Sequence, residues 1–184
     1  MNNILNRRGF LVASLLTVAG CSNAIGGNGA GVIDARVDSS LQFLTSEYPG
    51  TQDLLNRAAG VLVMPVVTEV GLGLGGSFGK GALRVGPSTV DYYSAAAASA
   101  GLQIGAQQYS HALFFMTQEA LLEFRQSPGW VAGADLEYVA NTQGDVLRAD
   151  TTTSLSPVIA VVFAQTGLRV GATVEGTKYT RIIP

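Results

Sequence analysis

The first regular pattern of apolar positions in the chain is helical. Apolar residues recur at spacings of three and four, which places them on one face of a helix: Ile33, Val37, Leu41, Leu44 and Tyr48. Pro49 and Gly50 are expected to end this helix. Thr51 is then in position to cap a second, short helix that closes before Gly60.

After Gly60 the period changes from helical to that of strands. Short apolar or alternating runs occupy residues 61–64, 70–76, 79–85, 89–93, 101–107, 112–116, 157–165, 168–174 and 179–183. Pro65 is expected to end the first run, and residues 70–76 and 79–85 are expected to pair as a hairpin. The alanine-rich residues 95–100 fit a helix by propensity as well as a strand.

One helix is predicted among these strands. Thr117 precedes an apolar periodic segment that contains Leu121 and Phe124, and Ser-Pro-Gly at 127–129 ends it. Helices followed by many strands predict an α+β domain. Its expected architecture is N-terminal helices followed by a curled, largely antiparallel, barrel-like β-sheet with one inserted helix.

Ahead of the first helix, the chain has the three-part pattern of an export signal. Arg7 and Arg8 precede a short apolar run at residues 10–19, and small residues stand directly before Cys21. The run is too short for a bilayer-spanning helix, which needs about 20 apolar residues. We therefore expect residues 1–20 to be a signal peptide and Cys21 to receive a diacylglyceryl group, as in a lipobox.

Cys21 is the only cysteine of the chain, so it has no intramolecular disulfide partner. Acylation would supply the two chains that stable anchoring needs. Residues 21–32 then form a lipidated, flexible tether, and residues 33–184 form the domain. The expected location is the bacterial cell envelope, and Ser22 after the cysteine favours the outer membrane. General secretion and twin-arginine export both remain open, as do the periplasmic and surface-exposed sides.

The charge of the chain limits its partners. The formal net charge is −2, and loss of Arg7 and Arg8 with the signal would lower it to −4. No run of bases remains, so a nucleic-acid partner is not expected. Folding could still gather dispersed bases on one surface: Lys80, Arg84, Lys178 and Arg181.

Catalytic and metal-binding motifs are weakly represented. Residues 71–76 (GLGLGG) satisfy G-x-G-x-x-G, but strand-like residues follow instead of the helix that binds pyrophosphate. Ser77 lies within G-x-S-x-G, and Asp91 and His111 follow in hydrolase order, which leaves a serine hydrolase as an alternative. With one histidine and one cysteine, no ordinary zinc site is expected, and no cofactor is predicted.

Four segments, in order, resemble the SYLF domain family. Residues 58–65 (AAGVLVMP) are similar to its early block, and residues 71–81 to the glycine-rich segment after it. Residues 92–94 with 99–107 are similar to its central block, and residues 167–178 to its final block. The resemblance spans nearly all of the predicted domain.

This resemblance implies a binding module rather than an enzyme. Eukaryotic SYLF proteins are adaptors that bind phosphoinositides, and some bind actin, with lipid binding attributed to a basic N-terminal segment. Here residues 34–49 contain one base, Arg36, so no ligand residues are carried over. We expect a non-enzymatic envelope lipoprotein whose domain binds phospholipid or another envelope component. A protein-interaction module is the alternative.

Overall fold

The computed structural model describes residues 29–133, 137–140, 156–167 and 174–184. Its helices are α1 (Gly29–Glu47), α2 (Gly50–Arg57) and α3 (Gln118–Gln126). Its strands are β1 (Gly60–Val85), β2 (Ser88–Phe115), β3 (Trp130–Val131), β4 (Glu137–Ala140), β5 (Val158–Gly167) and β6 (Lys178–Ile182). The predicted signal, Cys21 and most of the predicted strand 168–174 lie outside the described residues.

The N-terminal helices form as predicted, but the predicted cap of α2 is wrong. Thr51 lies inside the first turn of α2, after Pro49. Its hydroxyl donates backwards, to the carbonyl oxygens of Leu44 (3.2 Å) and Tyr48 (2.7 Å). Both carbonyls lie near the end of α1 and also accept backbone N–H groups, from Tyr48 and Thr51, so Thr51 joins the two helices instead of capping one.

The predicted hairpin between residues 70–76 and 79–85 is also wrong. β1 runs without interruption through the glycine-rich segment and pairs with β2 along its length. The chain reverses later, at Gly86 and Pro87, where Gly86 has a φ of 57°. A positive φ is what a two-residue hairpin loop requires and what glycine adopts without strain.

β2 joins three of the predicted strands into one. Residues 95–100 lie within it, because pairing with β1 on one side and β6 on the other outweighs the helical preference of alanine. Pro65 does not end β1 either. It sits at a register shift between Met64 and Val67, a bulge that tolerates the missing N–H of proline, and its carbonyl accepts from Ser110 Oγ at 2.6 Å.

The long β1–β2 ribbon curls until both ends of β1 lie against one another. A Cβ on Gly79 would stand 2.8 Å from the carbonyl oxygen of Val66, and one on Gly81 would overlap the carbonyl oxygen of Val63. Glycine is therefore required at these two positions by close backbone approach. The expected curled, largely antiparallel sheet is confirmed; only the β4–β5 pair is parallel among the described strands.

Two apolar clusters cover the two sides of this sheet. The inner cluster includes Leu62, Leu113 and Phe124, and α3 closes it. Thr117 caps α3 as predicted, since its side chain accepts from Ala120 N. The outer cluster lies beneath α1 and α2; its members include Val37, Leu44, Leu54, Val61, Ala82, Ala112 and Phe114.

Candidate binding surface

The three residues of the hydrolase alternative are not brought together. His111 lies opposite Met64 in the sheet, and among the described residues no hydrogen bond joins it to Ser77 or Asp91. Asp91 is held by an ion pair to Arg125, with 2.9 Å between carboxylate and guanidinium. The hydrolase alternative therefore has no assembled triad.

His111 is a core residue. It is fully buried, and its Nε2 lies 2.8 Å from the hydroxyl of Tyr179. Burial lowers the pKa of His111 to about 3, so the ring is neutral at physiological pH. Within the described residues, no three His, Cys, Asp or Glu side chains are grouped in a way that suits a metal ion.

A group of exposed apolar residues lies on the outer side of the ribbon's middle. Successive strand residues point to opposite faces, and the even-numbered residues of this part of β1 point outwards with Ala82. Val70, Leu74 and Phe78 are 54%, 78% and 54% exposed. Their neighbours on β2 include the exposed alanines Ala96, Ala98 and Ala106. These six residues are called the outer ribbon face.

The outer ribbon face carries no charge of its own. Residues 70–79 and 95–106 contain no ionisable side chain. One end is bounded by the neutral pair Thr68 and Gln108, and the other by Lys80 and Ser94. A charge-free apolar face that remains in water is unusual enough to indicate an interaction site.

Helix α1 leaves this part of the sheet uncovered. Asp34 fixes α1 over the β1–β2 turn, because its carboxylate accepts from Thr89 Oγ1 at 2.7 Å and from the Tyr92 hydroxyl at 2.9 Å. Burial, and then the bond to Asp34, raise the pKa of Tyr92. Arg84 adds an ion pair to Asp38, with 2.6 Å between their atoms.

An open groove lies where α1 stops covering the outer side of the sheet. It has a volume of about 890 Å³ and runs between α1 and the bulge at Pro65 and Val66. Its lining is mixed, with Val32 beside Arg36 on the helix and Gln108 on β2. The groove therefore joins the covered part of the outer side to the outer ribbon face.

Two lysines of the four dispersed bases reach this surface. Phe78 pairs with Ala96, which pairs with Lys178, so the three side chains form one row across the sheet. Lys80 follows two residues after Phe78 on the same side. The other two bases have acidic partners: Arg84 pairs with Asp38 and Arg181 with Asp91.

The sequence pattern does not single out Val70, Leu74 and Phe78. The alternation of apolar residues with glycine at 70–76 predicts one arm of a compact hairpin, not an exposed face. Trp130 and Phe124 pack together in the inner cluster of the sheet. Their rings are 5.5 Å apart. No helix in the described ranges is long and apolar enough to cross a membrane.

Residues 96–181 match the model of a family described as Ysc84, Las17-binding protein actin regulator. The match runs from Ala96, which pairs with Phe78, to Arg181 in β6, and it confirms the SYLF resemblance over these residues. A search of curated proteins finds no match.

Proposed function

We propose that the protein, whose residues 96–181 match the model of the Ysc84 (SYLF) family, is a binding module of the bacterial envelope. It is held by the lipid on Cys21 and docks its outer ribbon face on phospholipid. The observation that carries this proposal is the exposed, charge-free apolar face around Leu74.

The size of this face suits a weak, reversible contact. Full burial of a Val, Leu or Phe side chain contributes about 1.5–3 kcal/mol, and Val70, Leu74 and Phe78 are each already partly buried. Together they would supply about 4 kcal/mol, which corresponds to a dissociation constant near 1 mM. Such a contact does not replace an anchor, but it becomes effective once an anchor holds the domain nearby.

The lipid proposed on Cys21 would provide that anchor. Eight residues lead from Cys21 to Gly29, where α1 begins, and they span at most about 28 Å. The start of α1 would therefore stay within about 30 Å of the membrane that holds the lipid. At that distance the outer ribbon face can reach either the same leaflet or a component opposite it.

Flotation with liposomes tests the proposal. The chain from residue 22 onward, which lacks the lipid, is expected to float in part with phospholipid vesicles at about 1 mM lipid or more. Leu74→Ser with Phe78→Ser is expected to abolish most of that binding. Leu122→Ser is a matched control, because Leu122 is 50% exposed on α3, away from the ribbon. Absence of wild-type binding on every phospholipid composition would remove the direct lipid contact.

The description of the family as protein-binding favours a second candidate, a protein-interaction module that uses the same face. Crosslinking in intact cells from cysteines placed at Thr68 and Lys80, at the two ends of the face, separates the candidates. A discrete protein adduct supports a protein partner, whereas crosslinking to lipid alone supports the first proposal.

A further inference from the structure

We propose that the groove beside α1 is a docking site for a short amphipathic helix of a protein partner, with an acidic residue facing Arg36. This site is separate from the outer ribbon face, so the inference goes beyond the proposed docking on phospholipid. The groove has a volume of about 890 Å³, which lies in the upper part of the range for ligand clefts. It therefore has room for a row of partner side chains.

One flank of α1 forms the wall of the groove. The residues of this flank that line the groove recur at spacings of three and four: Gly31, Val32, Ala35, Arg36, Ser39 and Ser40. With a rise of about 1.5 Å per residue, the wall is about 14 Å long. A partner helix of about ten residues, nearly three turns, matches that length.

Small side chains let a second helix approach this wall closely. Gly31, Ala35 and Ser39 follow one another at intervals of four residues. Helices with small residues at their contact pack at the short end of the usual axis separation of about 8–10 Å. Ser39 Oγ donates to Ala35 O at 2.9 Å, so this hydroxyl is satisfied within α1. Val32 on the wall and Val66 on the floor are 44% and 40% exposed, and both offer apolar contact.

The floor of the groove favours a helix over an extended peptide. An extended peptide binds by adding a strand to an open sheet edge. Gln108 lies on β2 between β1 and β5, where it pairs with Thr68 and Thr166. Pro65 has no N–H, and its carbonyl accepts from Ser110 Oγ. These floor residues offer no open edge, whereas a groove with apolar anchors is the setting in which an amphipathic helix binds.

Charge complementarity selects an acidic residue on the partner. Arg36 is exposed and is the one ionisable residue among those described as lining the groove. No acid in the described part of the chain forms an ion pair with it. The nearest acids on α1, Asp34 and Asp38, lie on the other flank beside Arg84. An acidic side chain on a docked helix would therefore give Arg36 an ion pair that the described residues do not supply.

Peptide selection tests this inference. The chain from residue 22 onward, which contains every described residue, is used to select from a phage-displayed library of random peptides of about 12 residues. The selected peptides are expected to carry two apolar residues three or four positions apart and an acidic residue one turn away. Selection with Arg36→Glu should replace that acid by a base. A synthetic copy of the selected peptide should gain helical circular dichroism on binding.

Variants of the groove then locate the binding. Ala35→Leu, which fills the space beside the wall, should weaken binding of the selected peptide about 10-fold. Val66→Ser removes an apolar contact and Arg36→Gln removes the ion pair, and each should weaken it about 5-fold. Leu122→Ser, at a similarly exposed apolar position on α3, is the matched control and should change nothing.

Each contrary outcome overturns the inference at a distinguishable point. If no sequence is enriched, the groove takes no helix, and the lipid docking stands because flotation depends on other residues. Selected peptides without an acid remove the role of Arg36, and binding that survives Ala35→Leu lies elsewhere on the protein. A dimer in sedimentation that Ala35→Leu dissociates would assign the groove to a second copy. Ala35 and Val66 are exposed, so both variants should fold, which circular dichroism verifies.

Discussion

Phe114 and Phe78 occupy the same side of the same sheet, yet their surroundings differ completely. Phe114 is fully buried in the cluster beneath α1, whereas Phe78 is 54% exposed. Both point outwards from the β1–β2 ribbon, and apolar neighbours surround both. The difference shows that the outer side of the ribbon carries more apolar side chains than the fold of the described residues buries.

Element lengths explain why part of the outer side stays uncovered. A helix of 19 residues such as α1 is about 28 Å long. A strand of 26 residues such as β1 has a path of about 85 Å. Because α1 is fixed by Asp34 over the β1–β2 turn, it protects the two ends of β1 that meet there and leaves the middle exposed.

The largest effect on stability is expected at the covered phenylalanine. Phe114→Ala should lower the free energy of unfolding by about 3–5 kcal/mol, because it removes a large buried ring and leaves a cavity. Phe78→Ala, the matched change on the uncovered part, should cost less than about 1 kcal/mol. Urea unfolding of both variants measures the contrast. Equal losses would mean that the two regions are packed alike.

A slightly smaller loss is expected where the ribbon closes on itself. Gly81→Ala should destabilise the protein by about 3 kcal/mol, because the new Cβ would overlap Val63 O and come within 2.5 Å of Met64 Sδ. Gly76→Ala is the control, since its Cβ would meet only Ala97 O, at 3.2 Å. If both variants unfold at the same urea concentration, the close approach at Gly81 is not what limits the curl.

Acid should weaken the packed end through His111. Its pKa is about 3 in the folded protein and about 6.5 in the unfolded chain. Below pH 6.5 the unfolded state therefore binds a proton that the folded state does not bind. The contribution of neutral His111 to the free energy of unfolding is fully present above pH 6.5. It falls by about 1.4 kcal/mol per pH unit toward pH 3, which is a loss of about 2 kcal/mol at pH 5.

Unfolding curves at pH 7 and pH 5 measure this loss, and His111→Gln provides the control. His111 is the only histidine of the chain, so the variant should lose most of the dependence in this interval. A dependence that survives the substitution would assign it to carboxylates instead.

Sequence reasoning succeeded where the determinants are local. The spacing of Ile33, Val37 and Leu44 reports one buried helical face, and Thr117 caps the helix that follows it. It failed within residues 70–81, because glycine there marks close approach by a distant part of the strand rather than a turn. It also missed the outer ribbon face, since the exposure of Leu74 depends on how far α1 reaches.

The smallest effect on stability is expected at the most exposed apolar residue of the face. Leu74→Ser should change the free energy of unfolding by no more than about 0.5 kcal/mol, because the side chain is 78% exposed and loses little packing. A loss above about 1 kcal/mol in urea unfolding would show that another part of this chain covers Leu74. The outer ribbon face would then contribute to folding, and Phe114 and Phe78 would differ only in how much of each side chain is buried.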